Sequence, residues 1–311
     1  MSTLSQKRIQ DPILTQLAYG YYNNELVCET LFPIVEIEKE GGKIPQFGRL
    51  AFRQQSTVRQ VHGDSNRLTP EDVTAISIEL EEHDIEYPID YREDHEASYP
   101  LKQHALSVVQ EIIALGREME AAKLAQDESN YNTQNKFILS GDSKFSNLKS
   151  NPLPIFDTAI DAVISNTGRR PNVCVIAQDV WLKLKENTVL LDRIKYTRAG
   201  ILTPQVFAEL IDVKTVKIGA AMKEESGQLK PIWSDCVILA YVPTKGENNS
   251  IYAPSYGYTI RRKEGLFVDT YTEKGGKVEI VRCTDIHKPC VMGKSAGVLL
   301  KKCISLLMIM Q

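Results

Sequence analysis

An α+β fold is predicted by three features of this 311-residue sequence. A long two-limbed β excursion spans Glu36 to Glu96, and one long amphipathic helix follows it. Beyond the helix, short apolar strands alternate with helices before the chain closes in further β segments.

The return limb of the excursion carries the clearest strand pattern. Ile76, Ile78 and Leu80 alternate with Ser77, Glu79 and Glu81, and Ile85, Tyr87 and Ile89 alternate with Asp84, Glu86 and Asp90. This period of two gives one apolar face. The outgoing limb, from Ile44 to about Val61, is strand-like at Phe47, Leu50 and Phe52. Its turn-rich tip holds His62-Gly63-Asp64-Ser65-Asn66 and Thr69-Pro70. Lys43 to Arg67 contains five bases and one acid, whereas Glu71 to Glu96 contains eleven acids and one base, Arg92. That polarity is satisfied across the limbs, by a neighbouring subunit or by solvent. The ribbon has no evident core of its own, so it is expected to lie on another surface.

Residues 1 to about 35 read as an extended arm between Pro12 and Pro33, with several tyrosines and room for one short helical turn. After the excursion, Tyr99-Pro100 opens a helix to about Asp127. Its inward face is read as Ala105, Val108, Val109, Ile112, Leu115, Met119 and Ala122, and its outward face as Gln110, Glu111, Arg117, Glu118 and Lys123. At ~1.5 Å per residue, it is close to ~40 Å long. Lys136 to Ser140 forms a short strand. From Pro154 a helix runs to Asn166 and stops at Gly168, and Asn172–Ala177 is a strand buried on both faces. Asp179 is read as the cap of a helix through Trp181 and Leu184, and Thr203-Pro204 starts another. Thr215–Gly219 and Asp235–Val242 return as strands, and Ser255–Ile260 leads out of this unit. Phe267–Tyr271 and Lys277–Arg282 flank a turn at Glu273-Lys-Gly-Gly, and Ala296–Ile304 closes the fold.

The composition is that of a globular protein, 42% hydrophobic and 25% charged, with room for two ordinary domains. A net charge of −3 and a pI near 6.0 argue against general affinity for nucleic acid, though not against local basic patches. The six cysteines lack CxxC spacing and no secretory start is evident, so reduced thiols are expected. No apolar run approaches the ~20 residues of a membrane helix. The apolar tail from Cys303 to Gln311 is expected to be a buried strand or an interface.

Enzyme motifs are missing. Met292-Gly293-Lys294-Ser295 ends like a phosphate loop, but Lys288 stands where that motif needs its first glycine. Cys283, His287 and Cys290 have a spacing that matches no familiar zinc module, and structural thiols are the favoured reading. The histidines, at 62, 83, 95, 104 and 287, place no base beside a nucleophile. His83 and His95 lie within the acidic limb, which reads as an interaction surface before a metal or acid–base site. No catalytic residue, cofactor site or metal site is predicted.

Several stretches carry a family likeness: Gly42-Lys-Ile-Pro-Gln-Phe-Gly48, Glu81–Asp90 followed by Arg92-Glu93, Gly168-Arg-Arg-Pro-Asn172, and Asp192–Thr197 running into Gly200–Pro204. With the order of arm, β excursion, long helix, inserted α/β unit and closing β segments, the chain resembles tailed-bacteriophage major capsid proteins of the Hong Kong 97 fold, which encapsulins share. The resemblance spans ~10 to ~304. It implies an N-terminal arm (1–35), an E-loop (36–96), a peripheral domain with a spine helix (97–153 and 256–311) and an axial α/β domain (154–255).

It further implies a non-enzymatic shell protein that self-assembles into the pentamers and hexamers of an icosahedral head enclosing double-stranded DNA without reading its sequence. The shell would be assembled in the host cytoplasm and belong to the virion, with a portal and no membrane. Only about 35 residues precede the excursion, so a separate scaffolding protein is expected, and no lysine and asparagine can be matched to the namesake's covalent cross-link. An encapsulin shell is the nearest rival, and an α/β enzyme or ligand-binding protein the remote one. As inter-subunit contacts, acidic Glu79, Glu81 and Glu82 are paired with basic Arg193, Lys195, Arg198, Arg261, Arg262 and Lys263.

Overall fold

The computed structural model describes residues 14, 25–45, 58–59, 65–66, 75–195, 200–243, 255–273 and 275–305. Most of the arm, most of the outgoing limb with its tip, and the end of the apolar tail lie outside the described residues.

Helix α1 (Cys28–Leu31) and strand β1 (Ile34–Ile37) open the fold. β2 (Gly41–Pro45) and β3 (Ala75–Glu79) pair antiparallel as a two-stranded ribbon. β4 (Glu81–Asp90) and α2 (Tyr91–Glu96) follow, joined at Asp90, whose carboxylate accepts from Arg92 N in a capping box completed by Glu93. The long helix α3 (Leu101–Gln126) leads to β5 (Lys136–Ile138). Then come α4 (Leu153–Thr167), β6 (Val173–Ala177), α5 (Gln178–Lys185), α6 (Thr188–Ile194), α7 (Pro204–Leu210) and β7 (Thr215–Gly219). A small hairpin, β8 (Met222–Glu225) and β9 (Gln228–Pro231), precedes β10 (Cys236–Ala240). The long hairpin β11 (Gly257–Thr272) and β12 (Val278–Val291) ends in β13 (Gly297–Lys301).

Two sheets result. One has the order β1-β11-β12-β4, and the other β5-β13-β10-β6-β7. β6 and β10 are buried at every position, as their unbroken apolar runs predict. Gly168 ends α4 with φ +65°, the left-handed conformation that glycine takes most easily.

Four expectations need correction. The return limb does not stay in the ribbon, because β4 pairs with β12 over ten residues and its Ile85, Tyr87 and Ile89 pack beneath α3. The ribbon is therefore shorter than the charge pattern suggests, and half of the limb has a core.

The faces of α3 also differ. Ile112 and Met119 are exposed, whereas Gln110 and Glu118 are buried. Leu106, Val109 and Ile113 pack on Ile89, Val268 and Val281 of the first sheet. Beyond Ala114, the small residues Ala121, Ala122 and Ala125 let the helix approach the larger core around the second sheet. The face turns because different partners lie under each half of the helix.

Asp179 lies inside α5, whose N-cap is Ala177, and its carboxylate accepts from Val180 N and Asp235 N. Finally, β5 and β13 join the second sheet. β13 runs antiparallel to β10 in its middle, so the α/β unit draws strands from either side of the expected insertion.

Candidate assembly surfaces

The described part of the ribbon is anchored to the first sheet. Ile44 and Ile78 are buried with Leu80, Val35, Tyr258, Ile260, Ile286 and Met292 against the face of the first sheet opposite α3. Leu80 N donates to Glu40 O at 2.8 Å, which closes the root where β3 passes into β4. A two-stranded ribbon leaves edge backbone that an adjacent molecule can pair with or cover.

The charged candidates separate into three groups. Glu79 and Glu82 are exposed, on either side of the root. Glu81 is exposed too, but it pairs with Lys288 on the neighbouring strand. The hydrogen bond and then the charge of Lys288 lower the Glu81 carboxyl below its ordinary value, and the lysine is raised in turn. Glu86 likewise meets Arg282 and Tyr271, and Thr284 donates to Asp84 at 3.0 Å. Much of the acidic limb is thus answered within the chain. As the edge strand of its sheet, β4 also gains from charge, which discourages edge-to-edge pairing.

Among the bases, Arg193 and Lys195 are exposed at the end of α6, and Arg198 lies outside the described residues. Arg261 and Lys263 lie in one basic run but differ in role. The register between β11 and β12 breaks between Arg261 and Leu266, and Glu264 takes φ +59° there. The bulge turns Lys263 to solvent and leaves Arg262 paired with Glu40 near the ribbon root. Arg261 points inward, 7% exposed, and its guanidinium donates to Asp285 Oδ2 at 2.8 Å. Arg261 is therefore a packing residue, not an accessible contact.

Apolar exposure identifies surfaces that the charge reading missed. Leu229 is 69% and Met222 44% exposed on the β8–β9 hairpin, and Ile201 is 64% exposed. Ser226 and Gly227, with φ +57° and +77°, form the hairpin turn. A Ser-Gly pair between two short runs is the signal that would have located it. On the outer face of α3, Ile112 and Met119 lie two turns apart and are also exposed.

Other singled-out motifs are structural. Cys283 is buried beneath α3, while Cys290 packs at the opposite face with the ribbon-root cluster, so the two do not converge with His287. Gly293 O accepts from Ala296 N at 2.9 Å in a tight turn, and Lys294 Nζ donates to Ser129 O. In Gly168–Asn172, the Asn172 amide exchanges two hydrogen bonds with the backbone of Val242, and Arg170 pairs with Asp212.

No protein-family model matches the sequence. The chain is 44% identical over 303 residues to the major capsid protein of Burkholderia phage BcepMu, covering 96% of this chain and 98% of that protein. It is 26% identical over 218 residues to the major capsid protein of Pseudomonas phage JBD67, 68% of each. Among solved structures, a phage-related protein from Bordetella bronchiseptica RB50 matches with TM-score 0.82 and 27% identity over 96% of this chain and 98% of that one. The capsid structure of cyanophage P-SCSP1u matches in fold, with TM-score 0.57 and 11% identity over 90% and 89%. The chain belongs to the phage major capsid protein family, has the Hong Kong 97 fold, and assembles with itself into the shell of the virion.

Proposed function

We propose that this subunit forms the pentamers and hexamers of an icosahedral head enclosing double-stranded DNA, and that it has no catalytic role. The near full-length identity to a phage major capsid protein carries the reading. In these terms the ribbon beyond residue 40 is the E-loop that lies over an adjacent subunit, α3 is the spine helix, and the second sheet with its helices is the axial domain that meets others around the symmetry axes. Glu79 and Glu82 contact bases of the next subunit, with Arg193, Lys195, Arg198 and Lys263 as partners. Within the chain, Glu81 pairs with Lys288 and Arg262 with Glu40. A near-neutral balance suits a wall that confines DNA without gripping it. Weak contacts suffice when each subunit makes several simultaneously. A separate scaffolding protein sets the curvature, and a portal occupies one vertex.

Electron microscopy of the protein, expressed alone and with a scaffolding protein, tests this reading. Closed shells with five-fold vertices are expected. A stable monomer under both conditions would overturn it.

A further inference from the structure

Beneath the C-terminal half of α3, the contact with the first sheet changes from apolar to polar. His83 of β4, Glu120 of α3 and His287 of β12 converge there, each offering one ligand atom, and these atoms lie within 4.8 Å of one another. The two imidazoles stack with centroids 4.3 Å apart and planes at 23°. His287 is 0% exposed, and neither of its ring nitrogens has a hydrogen-bond partner among the described residues. His83 Nε2 is buried and unpartnered too. Orphaned buried nitrogens are costly, and three in one cluster call for an explanation.

We infer that His83, Glu120 and His287 form a binding site for a divalent transition-metal ion, zinc above all, which clamps the root of the ribbon to the long helix. Two imidazoles and one carboxylate are a donor set that suits zinc, with the fourth position left to water. The half-exposed Glu120 supplies the route from solvent. A tetrahedral ion with bonds of about 2.0–2.2 Å needs its donors about 3.3 Å apart, so the side chains draw in by roughly 1 Å on binding.

The surroundings support such a site. Asp285 Oδ2 sits 3.2 Å from His287 Nδ1 without making a hydrogen bond to it. A small ring rotation converts this contact into the carboxylate–histidine–metal arrangement that leaves Nε2 for the ion. Asp285 is fixed in turn by Arg261 at 2.8 Å and Arg117 at 3.5 Å. Arg117, Arg261 and Lys288 each already pair with a carboxylate other than Glu120.

The consequence is mechanical. His83 lies two residues beyond the start of β4, where the ribbon ends, and residues 83, 120 and 287 belong to three elements far apart in sequence. A shared ion fixes the departure of the ribbon relative to the helix. This site does not depend on the shell reading.

The test uses the full-length chain, stripped with EDTA and dialysed against ZnCl2. Zinc per chain is read by plasma mass spectrometry and the thermal midpoint by calorimetry. One zinc per chain is expected, with a midpoint higher by about 5 °C at a hundredfold excess over Kd. His83→Gln and Glu120→Gln, at half-exposed positions, should each weaken zinc binding at least about tenfold while leaving the zinc-free midpoint and circular dichroism unchanged. Zinc retained equally by both variants, or no zinc on folded wild-type protein, overturns the site.

Discussion

Trp233 donates its indole N–H to Glu118 Oε1 at 2.6 Å, and both side chains are fully buried. The same carboxylate accepts from Val27 N at 3.1 Å and Cys28 N at 2.8 Å, where α1 begins. One side chain of the long helix thus holds the start of the fold and the segment after the β8–β9 hairpin. A buried carboxylate is tolerable because three donors face it.

Glu118→Ala leaves those donors without a partner and should cost about 3–5 kcal/mol. Glu118→Gln keeps one accepting oxygen but turns an amide N–H2 toward donors, at about 2 kcal/mol. Trp233→Phe should cost about 1–3 kcal/mol. Urea unfolding of the three variants checks the order, and Glu118→Gln matching wild type would contradict this account.

Gly219 ends β7 against the same tryptophan. A Cβ there would lie 2.6 Å from Trp233 Cγ and 2.9 Å from its Cβ, too close for any relaxed contact. Gly219→Ala should destabilise by about 1–3 kcal/mol through overpacking, and Gly219→Val by more. Calorimetry of the alanine variant decides, since an unchanged midpoint would mean that the indole moves aside freely.

Arg261 and Lys263 offer a direct contrast. Arg261→Glu sets a second carboxylate against buried Asp285 and should cost at least about 3–5 kcal/mol, seen as loss of soluble folded protein. Lys263→Glu, at an exposed position in the bulge, should leave unfolding within about 0.5 kcal/mol of wild type. Any effect of Lys263→Glu on assembly then reports on the interface and not on the fold.

What the sequence made legible, and what it did not, follows from the range of the interactions involved. The apolar runs of β6 and β10 and the Gly168 stop are local patterns, and each appears where expected. The fate of β4 was hidden because alternation along a strand does not say which strand it joins, and ten residues of pairing with β12 lie far away in sequence. Glu118 looked like surface for the same reason. Its donors come from Val27, Cys28 and Trp233, none of which is close along the chain. Among the assembly candidates, a run of three bases gave no sign that a bulge would bury the first and expose the third.

Glu79 and Glu82 are the acidic positions to test for contact between subunits. Reversal of both to lysine should leave the monomer folded, because both are exposed. Shell yield should fall several-fold, since an unfavourable contact is repeated in every copy. Combining these changes with Arg193→Glu and Lys195→Glu should restore part of the yield if those bases are the partners. Unchanged shells from the double reversal would remove the acidic root from the interface.

Leu229 poses the corresponding test for apolar contact. It is 69% exposed at the end of a two-stranded hairpin that has only polar neighbours at its turn, and Met222 adds apolar surface to the same hairpin. In an isolated subunit this exposure is unfavourable, and burial between subunits would recover about 25 cal/mol for each Å² of apolar surface covered. Leu229→Ser should therefore leave monomer unfolding within about 0.5 kcal/mol of wild type, because the side chain packs on little within its own chain. Assembly should require several-fold more protein, measured by light scattering across a concentration series. If the variant assembles at the wild-type concentration, the hairpin faces solvent in the shell, and the exposed Ile112 and Met119 on the long helix become the next surface to test.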